Sequence, residues 1–222
     1  PYNFDGPQPN FFDVTPGKKI ALKIGDSSFS VADGASCNVQ EVSLNIHCTG
    51  THTEYAGHLL DTKGSVSAYI QDLIMPAGLI TVKPIPFIEC DDIYHVNIND
   101  KEMVICKNTI ESEWQKLQKY NPTALCIRTL PNPFKKQFYS YSEKIPPFFT
   151  NDAIIFLIQN NIKHLVVDIP SIDRMQDNGV LGNHRMFWSK SNEPNSDVDT
   201  NSIGTITEFA YIPNHVKDGF YF

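Results

Sequence analysis

The chain has 222 residues, 41% hydrophobic and 19% charged, with a formal net charge of -7. That is enough chain for one sizeable core and too little for two full domains. The acidic balance, without a basic stripe, argues against a nucleic-acid partner, and no apolar run reaches membrane-spanning length, so no membrane partner is expected. Pro1–Asn10 lacks a basic segment leading into an apolar one, so a secretory leader is not expected. The five cysteines (Cys37, Cys48, Cys90, Cys106, Cys126) show no paired spacing and read as reduced thiols of a cytoplasmic protein.

In chain order, residues 1–40 are rich in Pro, Gly, Asn and Asp and read as an extended arm with turns. Val42–Cys48 alternates as a strand, with Val42, Leu44, Ile46 and Cys48 on one face. Gly78–Val82, Tyr94–Ile98, Met103–Cys106 and Leu125–Thr129 are short β-rich runs bounded by turn residues. A helix is expected from a cap at Asn108, with Glu111 three residues on, Ile110, Trp114 and Leu117 on one face, and Pro122 beyond its end. A second helix is expected from a cap at Thr150 to about Asn161, followed by an apolar strand, Leu165–Ile169. Strand, helix and strand in that order form a βαβ unit, so part of the sheet is expected to be parallel. Ser189–Asn201 is a polar loop, Ile203–Ile212 a strand or strand pair, and Gly219–Phe222 a last strand.

Chemistry concentrates in His47-Cys48-Thr49-Gly50-Thr51-His52-Thr53-Glu54-Tyr55-Ala56-Gly57-His58, which holds three of the seven histidines with a thiol and a carboxylate. These are the side chains that bind zinc-like ions. In an extended segment His52 and Glu54 point to the same side. His58 converges on Glu54 whether the chain stays extended or turns into a helix. A polar strand whose histidines satisfy backbone groups is the bland alternative, weakened by three histidines falling together.

The segment resembles the signature of the cyclase-like family, the group of kynurenine formamidases and isatin hydrolases, whose usual pattern is H-x-G-T-H-x-D-x-P-x-H. Gly50-Thr51-His52 matches its centre and His58 its final His, while Glu54 stands in place of Asp and Ala56 in place of Pro. The first His falls on Cys48, with His47 one residue earlier. Strand alternation would put Cys48 on the apolar face and His47 on that of Asn45, and either can ligate a metal. Downstream, Asp168-Ile169-Pro170-Ser171-Ile172-Asp173 resembles the family's D-x-P-S-x-D loop, and His184 and Glu208 match its later histidine and glutamate ligands. Asp168 and Ser171 themselves read as structural.

The resemblance implies one α/β domain over residues 1–222, with a mixed, barrel-like sheet and flanking helices of the swivelling β/β/α type. It implies a divalent metal, Zn²⁺ or alternatively Mn²⁺, held by His47 or Cys48 with His52, Glu54, His184 and Glu208, and His58 as proton shuttle. The implied reaction is hydrolysis of an amide, formamide or cyclic amide C–N bond of a small-molecule substrate, and relatives of this kind are commonly homodimers. Rival expectations are a hydrolase of another cyclic ester or imide on the same fold, and a non-catalytic small-molecule binder.

Overall fold

The computed structural model describes residues 2–70 and 74–222. They group into two compact units, Pro1–Thr51 with Lys135–Lys144, and His52–Phe134 with Ile145–Phe222. In chain order the strands of the first unit are β1 (Lys18–Ala21), β2 (Lys23–Ile24), β3 (Ser27–Ser28) and β4 (Gln40–Ser43). The second unit continues with β5 (His52–Tyr55), β6 (Ala77–Val82), β7 (Ile85–Pro86), β8 (Met103–Ile105), α1 (Lys107–Trp114), β9 (Ala124–Thr129), β10 (Phe148–Phe149), α2 (Asn151–Gln159), β11 (His164–Val167), α3 (Gly182–Trp188), β12 (Thr205–Glu208) and β13 (Gly219–Tyr221).

In the first unit β1 and β4 form an antiparallel ribbon, with Lys19 opposite Val42 and Ile20 opposite Glu41. β2 and β3 form a tight hairpin whose two-residue turn uses Gly25 at φ 59°, the left-handed backbone such turns need. The residues before β1 contain turns held by side chains. The Gln8 amide, for example, donates to the carbonyls of Asn3 and Gly17 and accepts the Gly17 N–H. The expected strand Val42–Cys48 ends at Ser43. Beyond it the chain turns, and the Thr49 hydroxyl donates to the Asn45 carbonyl at 2.7 Å. Val42 and Ile46 of the expected apolar face stay 48% and 55% exposed.

The second unit is a six-stranded sheet in the order β13-β6-β9-β11-β12-β5. The four inner strands run parallel, and β13 and β5 close the two edges antiparallel. The expected mixed sheet with helices beside it is borne out, and among the described residues the two edge strands do not pair with each other. Of the inner strands, β6, β9 and β11 are largely apolar, as strands covered on both faces are. Ile80, Leu125, Ile127, Leu165, Val167 and Ile206 are all buried and share one core with Ile110, Ile154, Leu157 and Trp188. β10, β8 and β7 form a small separate sheet.

The βαβ reading is borne out, since β9 and β11 are parallel neighbours with α2 between them in sequence. Thr150 caps α2 as expected, its hydroxyl oxygen accepting the Ala153 N–H at 3.2 Å. The first helix departs from expectation. It starts at Lys107, because the Asp92 carboxylate accepts the Lys107 N–H at 2.7 Å, and Asn108 is not its cap. Tyr94–Ile98 forms no strand. Its side chains are engaged instead: the Tyr94 hydroxyl reaches Asp173 and the His95 ring packs on Tyr94. At the start of α3, Gly182 leaves room for that ring, since a Cβ there would lie 2.4 Å from His95 Cε1. No helix among the described residues is long and apolar enough to cross a membrane.

Candidate metal centre

The site lies at the end of the parallel strands where β12 meets edge strand β5. Their register sets His52 opposite Glu208 and Glu54 opposite Ile206. Directly opposed residues of an antiparallel pair share a face, and alternate residues repeat it. Both carboxylates and His52 therefore point the same way, into a covered space. The other face of β5 carries Thr53, whose hydroxyl meets that of Thr207 at 2.8 Å.

His184 arrives from α3. Its Nε2 lies 2.7 Å from Glu54 Oε1 and 3.6 Å from Glu208 Oε1, and His52 Nε2 lies 3.5 Å from Glu208 Oε2. All four side chains are about 95% buried or more. His58 sits in the single 3₁₀ turn Ala56–His58 that follows β5, which settles the open choice between extended and helical geometry. Its Nδ1 is 3.6 Å from Glu54 Oε2, and its ring is 5.9 Å from that of His184. The side chain of His58 is partly exposed, unlike the four buried donors. His47 and Cys48 belong to the first unit, where His47 is exposed and Cys48 half-buried.

Two carboxylates so close together and so dry repel each other and favour any positive charge placed between them. His184 registers this field. Burial opposes its charge, but Glu54 first, then Asp173 and Glu208, outweigh burial and hold its pKa well above the ordinary histidine value. A dication bound between these carboxylates would supply the positive charge that their field favours. The His184 Nε2, although 2.7 Å from Glu54, makes no well-aligned hydrogen bond. Two imidazoles and two carboxylates in this arrangement fit a divalent cation such as zinc or manganese.

A second trio, His95, Asp173 and Asp177, is also compact, but its hydrogen bonds argue against a cation. Asn183 donates to the carbonyls of Phe149 and Ile172, so its side-chain oxygen faces Asn151 and accepts from it at 3.0 Å. The same Asn151 amide nitrogen then donates to His95 Nδ1 at 3.1 Å. The His95 proton is therefore on Nε2, facing Asp177 Oδ2 at 3.9 Å. Asp177 in turn accepts the Gly179 and Leu181 N–H groups. Burial pushes the Asp177 pKa up, but His95 and these N–H groups more than offset it, and its carboxyl is held below the usual range. The trio braces the loop that launches α3 from Leu181, a residue in left-handed backbone at φ 50°.

Several residues beside the donors carried no role in the sequence. Asp173 was visible only as part of the D-x-P-S-x-D run, yet its Oδ2 lies 2.7 Å from His184 Nδ1. The Ile172 N–H donates to Glu208 Oε1 at 2.8 Å and fixes that carboxylate. Phe209, directly after Glu208, adopts φ 57°, costly for a bulky residue and typical of a strained functional segment. Trp188 is a fully buried core residue, its indole N–H donating to the Gly204 carbonyl. Asp168 is structural as expected, accepting the Thr129 N–H and hydroxyl at 2.9 and 2.8 Å.

Fold and cluster together define an α/β protein with the donors for a divalent cation at the rim of its parallel strands. Residues 4–174 match the family model described as "Putative cyclase", and the chain belongs to that cyclase family. Among curated relatives it is similar to the kynurenine formamidase of Bacillus cytotoxicus, 23% identical over 76% of this chain and 72% of that one. It is also similar to the kynurenine formamidase of Bacillus thuringiensis strain Al Hakam, 26% identical over 76% and 71%. Among solved structures it resembles isatin hydrolase A from Labrenzia aggregata (TM-score 0.56, 14% identity, 98% of this chain and 80% of that one). It likewise resembles a potential metal-dependent hydrolase with cyclase activity (TM-score 0.54, 18% identity, 100% and 84%). His184 and Glu208 lie beyond the residues matched by the family model.

Proposed function

We propose that this chain is a divalent-cation-dependent hydrolase that cleaves a C–N bond of a small amide, formamide or cyclic amide, with arylformamides as the leading substrate class. The observation that carries the reading is the convergence of His52, Glu54, His184 and Glu208 in one dry cluster with His58 at its edge. The names of the relatives point the same way. Zinc is the proposed ion and manganese the alternative, with His47 or Cys48 as a further ligand. A bound cation of this type polarises a carbonyl and makes a water molecule more acidic.

The chain's own residues do the rest. Glu54 and Glu208 supply negative charge, and His52 and His184 neutral nitrogen donors. Burial keeps bulk water from competing with the substrate. His58, partly exposed and beside Glu54, is placed to take a proton from the attacking water and deliver it to the leaving nitrogen, a role suited to an imidazole. The protein is further proposed to act in the cytoplasm as a homodimer.

The test is hydrolysis of N-formylkynurenine, other arylformamides and isatin-type cyclic amides by protein purified without chelator, alongside elemental analysis. Turnover of one of these with about one equivalent of bound metal supports the reading. Metal well below one equivalent in inactive protein that zinc and manganese do not activate would sink it. A panel of cyclic esters and imides separates the rival hydrolase, and binding without turnover the rival binder.

A further inference from the structure

We propose that Asp173, itself held by Tyr94, is the positioning residue of the centre: it keeps a proton on His184 Nδ1, so that Nε2 is the atom presented to a cation. This inference rests on the cation-dependent reading above and adds the layer behind the donors.

Asp173 accepts four hydrogen bonds, and they leave it one orientation. Its Oδ1 takes the Tyr94 hydroxyl at 3.1 Å and the Asn183 N–H at 2.9 Å. Its Oδ2 takes the His184 backbone N–H at 3.2 Å and His184 Nδ1 at 2.7 Å. Both the backbone and the ring of His184 are thus tied to one carboxylate oxygen, which sets the ring's rotation as well as its tautomer. The carboxylate is 99% buried, so these bonds act without competing water. An imidazole tied this way through one nitrogen offers its other lone pair in a fixed direction, and partners of this kind govern metal affinity.

Tyr94 comes from a loop remote in sequence. Its hydroxyl donates to Asp173 and accepts the Arg174 N–H at 2.9 Å, clamping the carboxylate and the residue after it. Burial first, with the charge of Asp173 second, pushes the Tyr94 pKa far up, so the phenol stays a donor across the working pH range. Replacing Asp173 by Asn turns one acceptor oxygen into a donor. Whichever way the amide points, either the Tyr94 and Asn183 donors or the two His184 donors then face N–H groups.

The experiment compares wild type with Asp173→Asn, Tyr94→Phe and Glu102→Gln. Zn²⁺ and Co²⁺ affinity is measured by chelator competition, metal-free folding by thermal unfolding, and exchange protection of the His184 ring Nδ1–H by nitrogen-15 NMR. Glu102→Gln loosens the same loop from its other side by removing the Arg174 ion pair, and should leave affinity and protection unchanged. Asp173→Asn should weaken cation binding about 10–100-fold, and Tyr94→Phe about two- to tenfold, both with reduced Nδ1–H protection. Folded Asp173→Asn with wild-type affinity and protection overturns the proposal, as does Glu102→Gln weakening binding as much as Asp173→Asn. If Asp173→Asn does not fold, Tyr94→Phe decides by the same two readouts. If wild type binds neither ion, the hydrolase reading fails. The positioning of His184 is then judged on protection in the metal-free protein, which Tyr94→Phe must lower for the proposal to stand.

Discussion

The β1–β4 ribbon and the β5–β12 pair are both antiparallel ladders with alternating side chains, yet they use alternation in opposite ways. In β4 the apolar residue Val42 is exposed, and so is Ile46 in the turn beyond. In β5 it is the ionisable residues His52 and Glu54 that are buried. A period of two says which residues share a face, but not which face the rest of the molecule covers. The ribbon has two strands and no layer of its own over β4, all four residues of which are exposed. The β5–β12 pair is the edge of a six-stranded sheet, with α3 supplying His184 above the shared face. Burying charge there is costly unless the groups satisfy one another or a cation.

That contrast can be sharpened by experiment. The largest expected effect is at the buried edge: His58→Ala should lower turnover about 10²–10⁴-fold, with metal content unchanged by elemental analysis. Loss of metal together with activity would move His58 from proton transfer to ligation. Next, Leu165→Ala, in an inner strand and fully buried, should cost about 2–5 kcal/mol in denaturant unfolding. Removing metal with a chelator should lower thermal stability by about 2.7 kcal/mol relative to protein at a free metal concentration of a hundred times Kd. An unchanged melting temperature in both conditions would break the comparison at its charged end. Thr150→Ala deletes the cap of α2 and should cost about 0.5–2 kcal/mol by the same unfolding assay. Smallest of all, Val42→Thr in the exposed ribbon should change stability by no more than about 0.5 kcal/mol. A larger loss would mean that this face is covered in solution.

Much of this was legible in the chain. The parallel βαβ unit followed from two apolar strands around a Thr-capped helix, because strand burial and helix capping are local requirements. His52 and Glu54 on one face followed from strand geometry. Their partners His184 and Glu208 came from the family resemblance, because nothing local in Asn183-His184-Arg185 or Thr205–Glu208 marks a ligand. The strand expected at Tyr94–Ile98 failed for a reason outside the segment: its side chains bond to Asp173 and pack near α3 rather than joining a ladder. The start of α1 shifted for the same kind of reason, an Asp92 carboxylate reaching in from a neighbouring loop.

The sequence by itself determined the local terms: which runs are strands of a covered parallel sheet, where α2 begins, and that histidine and carboxylate side chains share one face of a single strand. Only the tertiary structure decided which donors meet, which nitrogen of His184 faces them, and that Tyr94 and Asp173 stand behind it. The reason is one of range. Backbone periodicity and capping act over a few residues, whereas the electrostatics of the cluster depend on side chains from β5, β12, α3 and the loop at Asp173, which only the packed sheet brings within 4 Å.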